Sequence, residues 1–138
     1  MSSDRTFKVG LVGLGWWGQR LFNFFNSLDY VDMVGVADKR VLAPGEFDLC
    51  GARLYTDAQE MCDKEKLDTI IVATPPALHL EPTRIAAERG IHVFCEKPMA
   101  STVEDCDVMI DVCGKHGVKL FIAFKHRYAR ACRFAKEN

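Results

Sequence analysis

The sequence has no long hydrophobic run and no block of charge of one sign. Its apolar stretches have the length of β-strands, far below the roughly 20 residues that a membrane-spanning helix requires. Its 18 Lys and Arg residues nearly balance 19 Asp and Glu residues and are scattered among them, so no basic surface for nucleic acid is expected. The polar start lacks the apolar core of a signal peptide. We therefore expect a cytoplasmic protein that binds neither nucleic acid nor membrane.

Patterns for metal binding and for disulfides are also missing. The six cysteines never occur as Cys-x-x-Cys, and the four histidines show neither His-x3-His nor His-Glu-x-x-His spacing. We expect reduced, mostly structural thiols and no metal site. With 138 residues, the chain is long enough for one compact domain and too short for two.

Short apolar runs rich in β-branched residues alternate with longer segments of helical spacing. This alternation predicts an α/β fold, a doubly wound parallel sheet with helices on both faces, which is the Rossmann fold. Strands are predicted at 7–14, 31–37, 53–55, 69–73, 91–95 and 118–124. Helices are predicted at 19–27, at a short segment capped by Thr56 or Asp57, at 78–89, from 102 or 103 to 116, and at 128–137.

A glycine-rich segment lies where the first predicted strand gives way to the first predicted helix. It has the form Gly-x-Gly-x-x-Gly and consists of Gly13, Leu14, Gly15, Trp16, Trp17 and Gly18. Gly13 permits a tight turn, Gly15 lets the backbone approach a pyrophosphate, and Gly18 lets the helix pack close to the strand. The segment therefore predicts a dinucleotide site. Either one tryptophan covers the cofactor while the other packs into the protein, or both belong to the core.

An acidic residue, Asp38, follows Gly18 by 20 residues at the end of the second predicted strand. A carboxylate at that position accepts hydrogen bonds from the adenosine ribose hydroxyls and repels a 2′-phosphate, which favours NAD over NADP. The next residues, Lys39 and Arg40, are cations able to bind that phosphate, so NADP is a second candidate. A methyltransferase uses a similar glycine loop and acid, and this part of the chain does not separate the two classes.

Two further motifs each follow a predicted strand. They are Thr74-Pro75-Pro76-Ala77-Leu78-His79 and Glu96-Lys97-Pro98. With the glycine loop, in this order and spacing, they make the chain resemble the glucose-fructose oxidoreductase, inositol dehydrogenase and rhizopine-catabolism (Gfo/Idh/MocA) family. The resemblance extends over essentially the whole chain, and the Glu-Lys-Pro tripeptide is its most specific part. A methyltransferase leaves both motifs unexplained.

The resemblance implies that Thr74, Pro75 and His79 border the nicotinamide ribose of a bound cofactor. Physical reasoning agrees about the place, because ligands of doubly wound sheets bind outside the carboxyl ends of the strands. The alternative for His79 is a helix-start residue that is hydrogen-bonded to the backbone.

The resemblance also implies a catalytic role for Lys97, which would touch both the nicotinamide end of the cofactor and the reacting hydroxyl of the substrate. An ammonium there orients the alcohol and stabilises negative charge on its oxygen while hydride leaves the carbon. Glu96 would then hold the lysine or the cofactor ribose, and Pro98 would stiffen the turn. The alternative for Lys97 is a solvated surface charge.

The end of the chain looks like the family's Arg-Phe/Tyr segment, with Ala129 and Arg130 where the family usually has Asp or Asn and then proline. Arg127 is either a neighbour of cofactor or substrate or a partner in a surface salt bridge. We expect residues 1–126 to form an NAD(P)-binding domain and residues 127–138 to begin a linker helix toward a C-terminal substrate domain outside this sequence.

The resemblance implies hydride transfer between a nicotinamide cofactor and the CH–OH carbon of a sugar, cyclitol or similar polyol, by a parent protein that is a homo-oligomer. NAD is the expected cofactor. This piece alone is expected to bind the cofactor and to be inactive, because acid–base help from the second domain is commonly worth about a hundred- to ten-thousand-fold in rate. The alternative is an NAD(P)-binding sensor or structural subunit without catalysis.

Overall fold

The computed structural model describes residues 6–40, 42, 43 and 45–137. The first five residues of the predicted cofactor domain, two positions of the loop after the second strand and the last residue lie outside the described residues. The described residues form an α/β structure, in agreement with the alternating pattern of the sequence.

Within the described residues, six strands form one sheet in which every neighbouring pair is parallel. They are β1 Phe7–Val12, β2 Val31–Ala37, β3 Arg53–Tyr55, β4 Thr69–Val72, β5 His92–Cys95 and β6 Leu120–Ile122. The order across the sheet is β3-β2-β1-β4-β5-β6. This is the strand order of the Rossmann fold, so the predicted fold class is confirmed.

The helices of the described residues connect these strands and continue beyond the last one. They are α1 Trp16–Asn26, α2 Ala58–Lys64, α3 Leu80–Ala87, α4 Val103–Lys115 and α5 Arg130–Glu137, and two 3-10 turns occupy Pro76–Leu78 and Lys125–Tyr128. Asp57 caps α2 by accepting a hydrogen bond from the Glu60 N–H at 2.8 Å. Thr102 caps α4 in the same way, by accepting from the Asp105 N–H at 3.1 Å. Such caps satisfy N–H groups that have no partner within the helix.

Two buried clusters, one on each face of the sheet, hold the helices in place. The cluster beneath α1 contains Val9, Leu11, Phe22, Met33, Val36 and Ile71. The cluster beneath α2, α3 and α4 contains Val12, Met61, Ile70, Val72, Ile85, Val93 and Met109. Ile70 and Ile71 are neighbours in β4 but belong to different clusters, because successive side chains of a strand point to opposite faces. Burial on both faces explains why β4 is a continuous apolar run.

The structure corrects the predicted boundaries at the glycine loop. β1 ends at Val12 rather than at 14, because Gly13 turns the chain with a φ of +95°. α1 begins at Trp16 rather than at 19, with Gly15 as its N-cap residue. The turn between strand and helix is therefore shorter than the sequence pattern indicated.

Other predicted elements are also shorter in the structure. The prolines at 75 and 76 begin a 3-10 turn, so α3 starts at Leu80 rather than at 78 and ends at Ala87 rather than at 89. The edge strand β6 is limited to Leu120–Ile122, within the predicted 118–124. The last helix begins at Arg130 rather than at 128, because Tyr128 belongs to the preceding 3-10 turn.

The parallel sheet brings the sequence motifs to one edge. The carboxyl ends of β1, β2, β4 and β5 lead directly into the glycine loop, Asp38, Thr74 and Glu96, respectively. β1 and β4 are neighbours at the centre of the sheet, and the chain runs outward from them in opposite directions. Ligands of open α/β sheets bind in the crevice that such a switch point creates.

Candidate functional site

A groove of about 1230 Å³ lies at the carboxyl ends of β1, β2 and β4. Its volume exceeds the roughly 300–1,000 Å³ of ordinary small-molecule pockets, as an extended ligand requires. Seven of the residues singled out in the sequence line it, namely Gly13, Gly15, Asp38, Lys39, Arg40, Thr74 and Pro75. The structure thus brings the glycine loop, the acid after β2 and the turn after β4 around one space.

Glycine stands at three positions of the loop for three different structural reasons. A Cβ on Gly18 would lie 2.0 Å from the carbonyl oxygen of Gly13, so α1 packs against the loop at a distance that only glycine allows. A Cβ on Gly13 would lie 2.9 Å from Thr74 Cγ2, and its φ is positive. A Cβ on Gly15 would meet no atom of the described residues within 4 Å. Gly15 therefore keeps open a space in front of the helix rather than relieving a contact within the protein.

Among the described residues, no side chain caps the N-terminus of α1, which faces this open space. Its first N–H groups have no partners within the helix, and the helix dipole adds a partial positive charge there. A pyrophosphate supplies both the acceptors and the negative charge that this end of a helix requires. The residues present therefore fit a dinucleotide, with Gly15 leaving room for its phosphates.

Asp38 is held in place from two sides. Its Oδ2 accepts a hydrogen bond from the Leu14 N–H at 2.6 Å, and its Oδ1 accepts from the Arg40 N–H at 2.8 Å and from Arg40 Nε at 3.1 Å. Burial alone would raise the pKa of Asp38, but the backbone N–H groups of Arg40 and Leu14, followed by the Arg40 guanidinium, lower the pKa below its ordinary value. Asp38 is therefore an ionised acceptor at the end of β2.

Arg40 makes a second contact with the glycine loop. Its Nη2 donates to the Leu14 carbonyl oxygen at 2.7 Å while its Nε stays bound to Asp38. Leu14 therefore contributes to the site through its backbone, since its side chain is fully buried. Lys39 is exposed at the groove wall. A carboxylate and two cations thus stand together where the adenosine ribose of a dinucleotide is expected.

Neither tryptophan of the loop is buried in the core. Trp16 is 70% exposed, stacks on Trp17 with ring centroids 5.7 Å apart, and lies 4.1 Å from the guanidinium carbon of Arg20. Trp17 is 38% exposed, and its Nε1 donates to Glu96 Oε1 at 2.7 Å. The core interpretation is therefore wrong for both rings.

His79 holds the turn after β4 from the inside. It is fully buried, with Nε2 2.7 Å from the Thr74 carbonyl oxygen and Nδ1 3.1 Å from the Met99 carbonyl oxygen. Each ring nitrogen lies within hydrogen-bond distance of a backbone carbonyl oxygen, so neither nitrogen is open to a cofactor in this arrangement. The structure thus places His79 as the backbone-bonded residue at the helix start, joining the turn after β4 to the turn after β5.

The Glu-Lys-Pro turn presents its three side chains differently. Glu96 is only 9% exposed, and its Oε2 accepts from the Lys97 N–H at 3.1 Å. The Lys97 side chain is exposed and forms no ion pair with any described residue, Glu96 included. The Lys97–Pro98 peptide bond is cis, and Pro98 is exposed. Lys97 is therefore available to a ligand at the end of β5.

Arg127 lies on the 3-10 turn Lys125–Tyr128 and is exposed. Its side chain makes no ion pair with any described residue, so the surface salt bridge proposed as its alternative is not formed with them. The neighbouring Lys125 does reach the site, because its Nζ lies 5.6 Å from the centroid of the Trp17 ring.

Sequence reasoning missed the wall of the groove that α2, α3 and the preceding turn provide. The residues on that wall include Gln59, Glu60, Asp63, Lys64, Leu78, Leu80 and Glu81. Apart from Leu78, which lies within the Thr74–His79 motif, they belong to no motif, and the one signal in the sequence is that they follow β3 and β4. Leu78 is 51% exposed, which offers an apolar surface to a ligand.

A membrane-spanning helix and a cluster of possible metal ligands are both absent from the described part of the chain. No helix there combines the length and apolar character needed to cross a membrane. No three His, Cys, Asp or Glu side chains among those residues are grouped closely enough to hold a metal ion.

Comparison with known proteins agrees with this geometry. The model of an oxidoreductase family with an NAD-binding Rossmann fold, GFO/IDH/MocA, matches residues 7–124. The chain is 35% identical over 136 residues to the 2,7-anhydro-N-acetylneuraminate hydratase of Mediterraneibacter gnavus, covering 96% of the chain and 35% of that protein. It is 29% identical over 120 residues to the scyllo-inositol 2-dehydrogenase (NADP(+)) IolU of Bacillus subtilis, covering 86% of the chain and 37% of that protein.

A solved structure shows the same likeness. The WlbA dehydrogenase of Bordetella pertussis, in complex with NADH and UDP-GlcNAcA, matches with a TM-score of 0.85 at 28% identity, over 96% of this chain and 41% of that one. The chain thus spans little more than a third of the length of the curated relatives that it matches.

Proposed function

The chain belongs to the GFO/IDH/MocA oxidoreductase family, and on that premise we propose that it serves an enzyme that transfers hydride between a nicotinamide cofactor and the CH–OH carbon of a sugar, cyclitol or similar polyol. The observation that carries the proposal is the arrangement of one sheet edge. It has the groove at the ends of β1, β2 and β4 and, at the end of β5, Lys97, which forms no ion pair with any described residue.

Different residues of the groove contact different parts of the cofactor in this proposal. The N-terminus of α1 and the open space at Gly15 take the pyrophosphate, and Asp38 takes the adenosine ribose. Thr74 and Pro75 border the path toward the nicotinamide. We propose NAD as the preferred cofactor, because the ionised Asp38 repels a 2′-phosphate and keeps Arg40 engaged.

Lys97 is the residue to which we assign chemistry. A bound nicotinamide cofactor would supply the hydride acceptor or donor. The ammonium of Lys97 hydrogen-bonds the substrate hydroxyl, orients it, and stabilises the negative charge that develops on its oxygen. We further propose that Glu96, Pro98 and Arg127 border the nicotinamide end of the site, and that residues 127–138 begin a linker toward a second, substrate-binding domain.

A second candidate rests on the relative at 35% identity, which is a hydratase of a sugar acid. Addition of water leaves the overall oxidation state unchanged, so such a reaction accumulates no NADH. A cofactor-binding sensor without catalysis would also accumulate none. Product analysis separates these two, since only the hydratase converts its sugar.

Titration of the chain with NADH and, separately, with NADPH tests the cofactor site. Both tryptophans lie in the glycine loop, so bound reduced nicotinamide quenches their emission by energy transfer. Saturable quenching, tighter for NADH, is expected. A folded sample with no quenching by either nucleotide would contradict the proposed binding site.

Activity is tested on the full-length protein with NAD⁺ and a panel of sugars, cyclitols and other polyols, by following absorbance of the reduced nicotinamide. At least one member of the panel is expected to reduce the cofactor, and Lys97→Ala is expected to abolish most of that rate while NADH still binds. If Lys97→Ala left the rate unchanged, the assignment of chemistry to Lys97 would be wrong.

A further inference from the structure

One hydrogen bond joins two motifs that are far apart in the sequence. Trp17 Nε1, in the glycine loop after β1, donates to Glu96 Oε1, in the turn after β5, at 2.7 Å. Trp17 and Glu96 are 79 residues apart. No pattern in the sequence indicates this contact, because Trp17 occupies one of the three variable positions of the Gly-x-Gly-x-x-Gly pattern.

The bond fixes the direction of the Glu96 carboxylate. Oε1 accepts from the indole N–H of Trp17, and Oε2 accepts from the backbone N–H of Lys97. A donor at each oxygen prevents rotation of the carboxylate plane. A carboxylate accepts about four hydrogen bonds, so both oxygens retain free acceptor positions.

Glu96 also needs a further partner. It is 9% exposed, and no Lys or Arg of the described residues forms an ion pair with it. A nearly buried carboxylate with only two donors is costly to leave incompletely satisfied. Two hydroxyl groups of a ribose supply the missing donors without adding charge.

The Trp17 ring has two further neighbours besides Glu96. Trp16 stacks on it at 5.7 Å between centroids, with 29° between the planes. Lys125, from the turn after β6, places its Nζ 5.6 Å from the ring centroid. Trp17 therefore ties together the carboxyl ends of β1, β5 and β6.

We propose that Trp17 is a positioning residue, which aims the Glu96 carboxylate at the ribose hydroxyls on the nicotinamide side of the cofactor. The proposal rests on the function proposed above, in which the cofactor crosses from Asp38 to Lys97. It assigns the role to the indole N–H and not to the bulk of the ring.

Three nucleotides of increasing length test the proposal on the chain itself. ADP lacks the nicotinamide ribose, ADP-ribose adds it, and NADH adds the nicotinamide as well. Trp17→Phe keeps an aromatic ring and removes the N–H. We expect Trp17→Phe to weaken ADP-ribose and NADH about tenfold, the value of a hydrogen bond to a charged group, and to leave ADP affinity within about twofold. Glu96→Gln is expected to give the same selective loss, and the double variant to lose little more than either single one.

Tyr55→Phe provides a matched control. The Tyr55 hydroxyl donates to a carboxylate, that of Glu65, and Tyr55 does not line the groove. This variant removes the same kind of bond and is expected to bind all three nucleotides as the parent chain does. Proton NMR adds a direct signature, because the indole N–H signal that disappears in Trp17→Phe should move upfield in Glu96→Gln.

The outcomes separate the positioning role from the binding function. Equal weakening of ADP, ADP-ribose and NADH by Trp17→Phe would show a general structural effect and overturn the proposal. Unchanged affinities in Trp17→Phe, with binding to the parent chain intact, would overturn it as well. Failure of the parent chain to bind NADH would overturn the proposed function instead, and the two failures are thus distinguishable.

Discussion

The glycines of the loop between β1 and α1 differ in what an added methyl group would meet. At Gly18 the methyl would lie 2.0 Å from the Gly13 carbonyl oxygen, which is backbone and has no room to move. At Gly15 it would enter open space, and the φ of −69° suits alanine. We therefore predict that Gly18→Ala lowers the free energy of unfolding by about 3 kcal/mol or more, as severe overpacking does.

Gly15→Ala is expected to affect cofactor binding more than stability. Its free energy of unfolding should fall by no more than about 1 kcal/mol, the usual range for an N-cap position, while NADH affinity falls sharply because the methyl occupies phosphate space. Urea unfolding and NADH titration of both variants are the measurements. Gly15→Ala binding NADH as well as the parent chain would exclude the pyrophosphate from this part of the groove.

Asp38 and Arg40 govern the choice between the two nicotinamide cofactors. Asp38 repels a 2′-phosphate and binds Arg40 through Oδ1. We predict that Asp38→Asn raises the affinity for NADPH relative to NADH at least about tenfold, since about 1.4 kcal/mol of relieved repulsion suffices for that factor. The ratio of the two dissociation constants measures it. Arg40→Ala in the same background should remove most of the gain, because Arg40 is the cation that the substitution releases.

At the residue scale, the motifs indicated which segments line the groove but not always which atoms of a residue make the contacts. The Gly-x-Gly-x-x-Gly and Asp38 pattern predicted groove residues because backbone conformation and charge act there directly. His79 and Leu14 act through atoms that the motif does not reveal. The ring nitrogens of His79 lie near two backbone carbonyl oxygens, and Leu14 acts through its own N–H and carbonyl groups. The Trp17–Glu96 bond depends on how two distant turns approach each other, which requires the folded sheet.

Helix α2 shows how elements are fitted to the sheet. Met61 is fully buried over Gly10 of β1 and Gly35 of β2, which are partners in the strand register. A Cβ on Gly10 would lie 2.8 Å from Met61 Cε, and one on Gly35 would lie 3.1 Å from Met61 Cγ. The two glycines thus form a shallow seat for one methionine.

We predict that Met61→Ala lowers the free energy of unfolding by about 2–5 kcal/mol, because the seat becomes a cavity between helix and sheet. Met61→Leu conserves most of the volume and is expected to cost less than about 1.5 kcal/mol. Chemical denaturation of both variants measures the difference. A loss below about 1 kcal/mol in Met61→Ala would mean that α2 collapses freely onto the glycines.

Element boundaries follow from the sequence where a chemical signal marks them. Asp57 and Thr102 cap α2 and α4, so these starts were predictable. Gly90 and Gly117 have positive φ after α3 and α4 and indicated the ends of both helices to within two residues. The start of α1 was not, because it lies inside the glycine motif. The edge strand β6 was predicted too long, because it has a strand neighbour only on the β5 side.

The whole molecule explains why scattered motifs form one site. A sheet of parallel strands places every strand's carboxyl end on the same edge, so the residues after β1, β2, β4 and β5 converge however far apart they are in sequence. That convergence was predictable from the parallel sheet that the alternating pattern of the sequence indicated. The groove wall from α2 and α3 was not, because it depends on the angle at which those helices cross the sheet.

The cysteines offer a probe of the stability of the whole chain. Cys62, Cys95 and Cys113 are buried, whereas Cys50 and Cys132 are exposed. Burial raises the pKa of Cys62 to about 11 and that of Cys95 to about 12, and it also raises the pKa of Cys113. These three thiols are therefore protected twice, by lack of access and by lack of thiolate, until the chain opens.

We predict that a thiol reagent at about pH 8 labels Cys50 and Cys132 rapidly and the three buried cysteines only through unfolding. NADH at about one hundred times its dissociation constant stabilises the folded chain by about 2.7 kcal/mol, so labelling of the buried thiols should slow about one hundredfold. Mass spectrometry of labelled peptides over time measures each site. Rapid labelling of Cys95 with NADH present would show that β5 opens locally, in which case Lys97 would stand on an element that the cofactor does not stabilise.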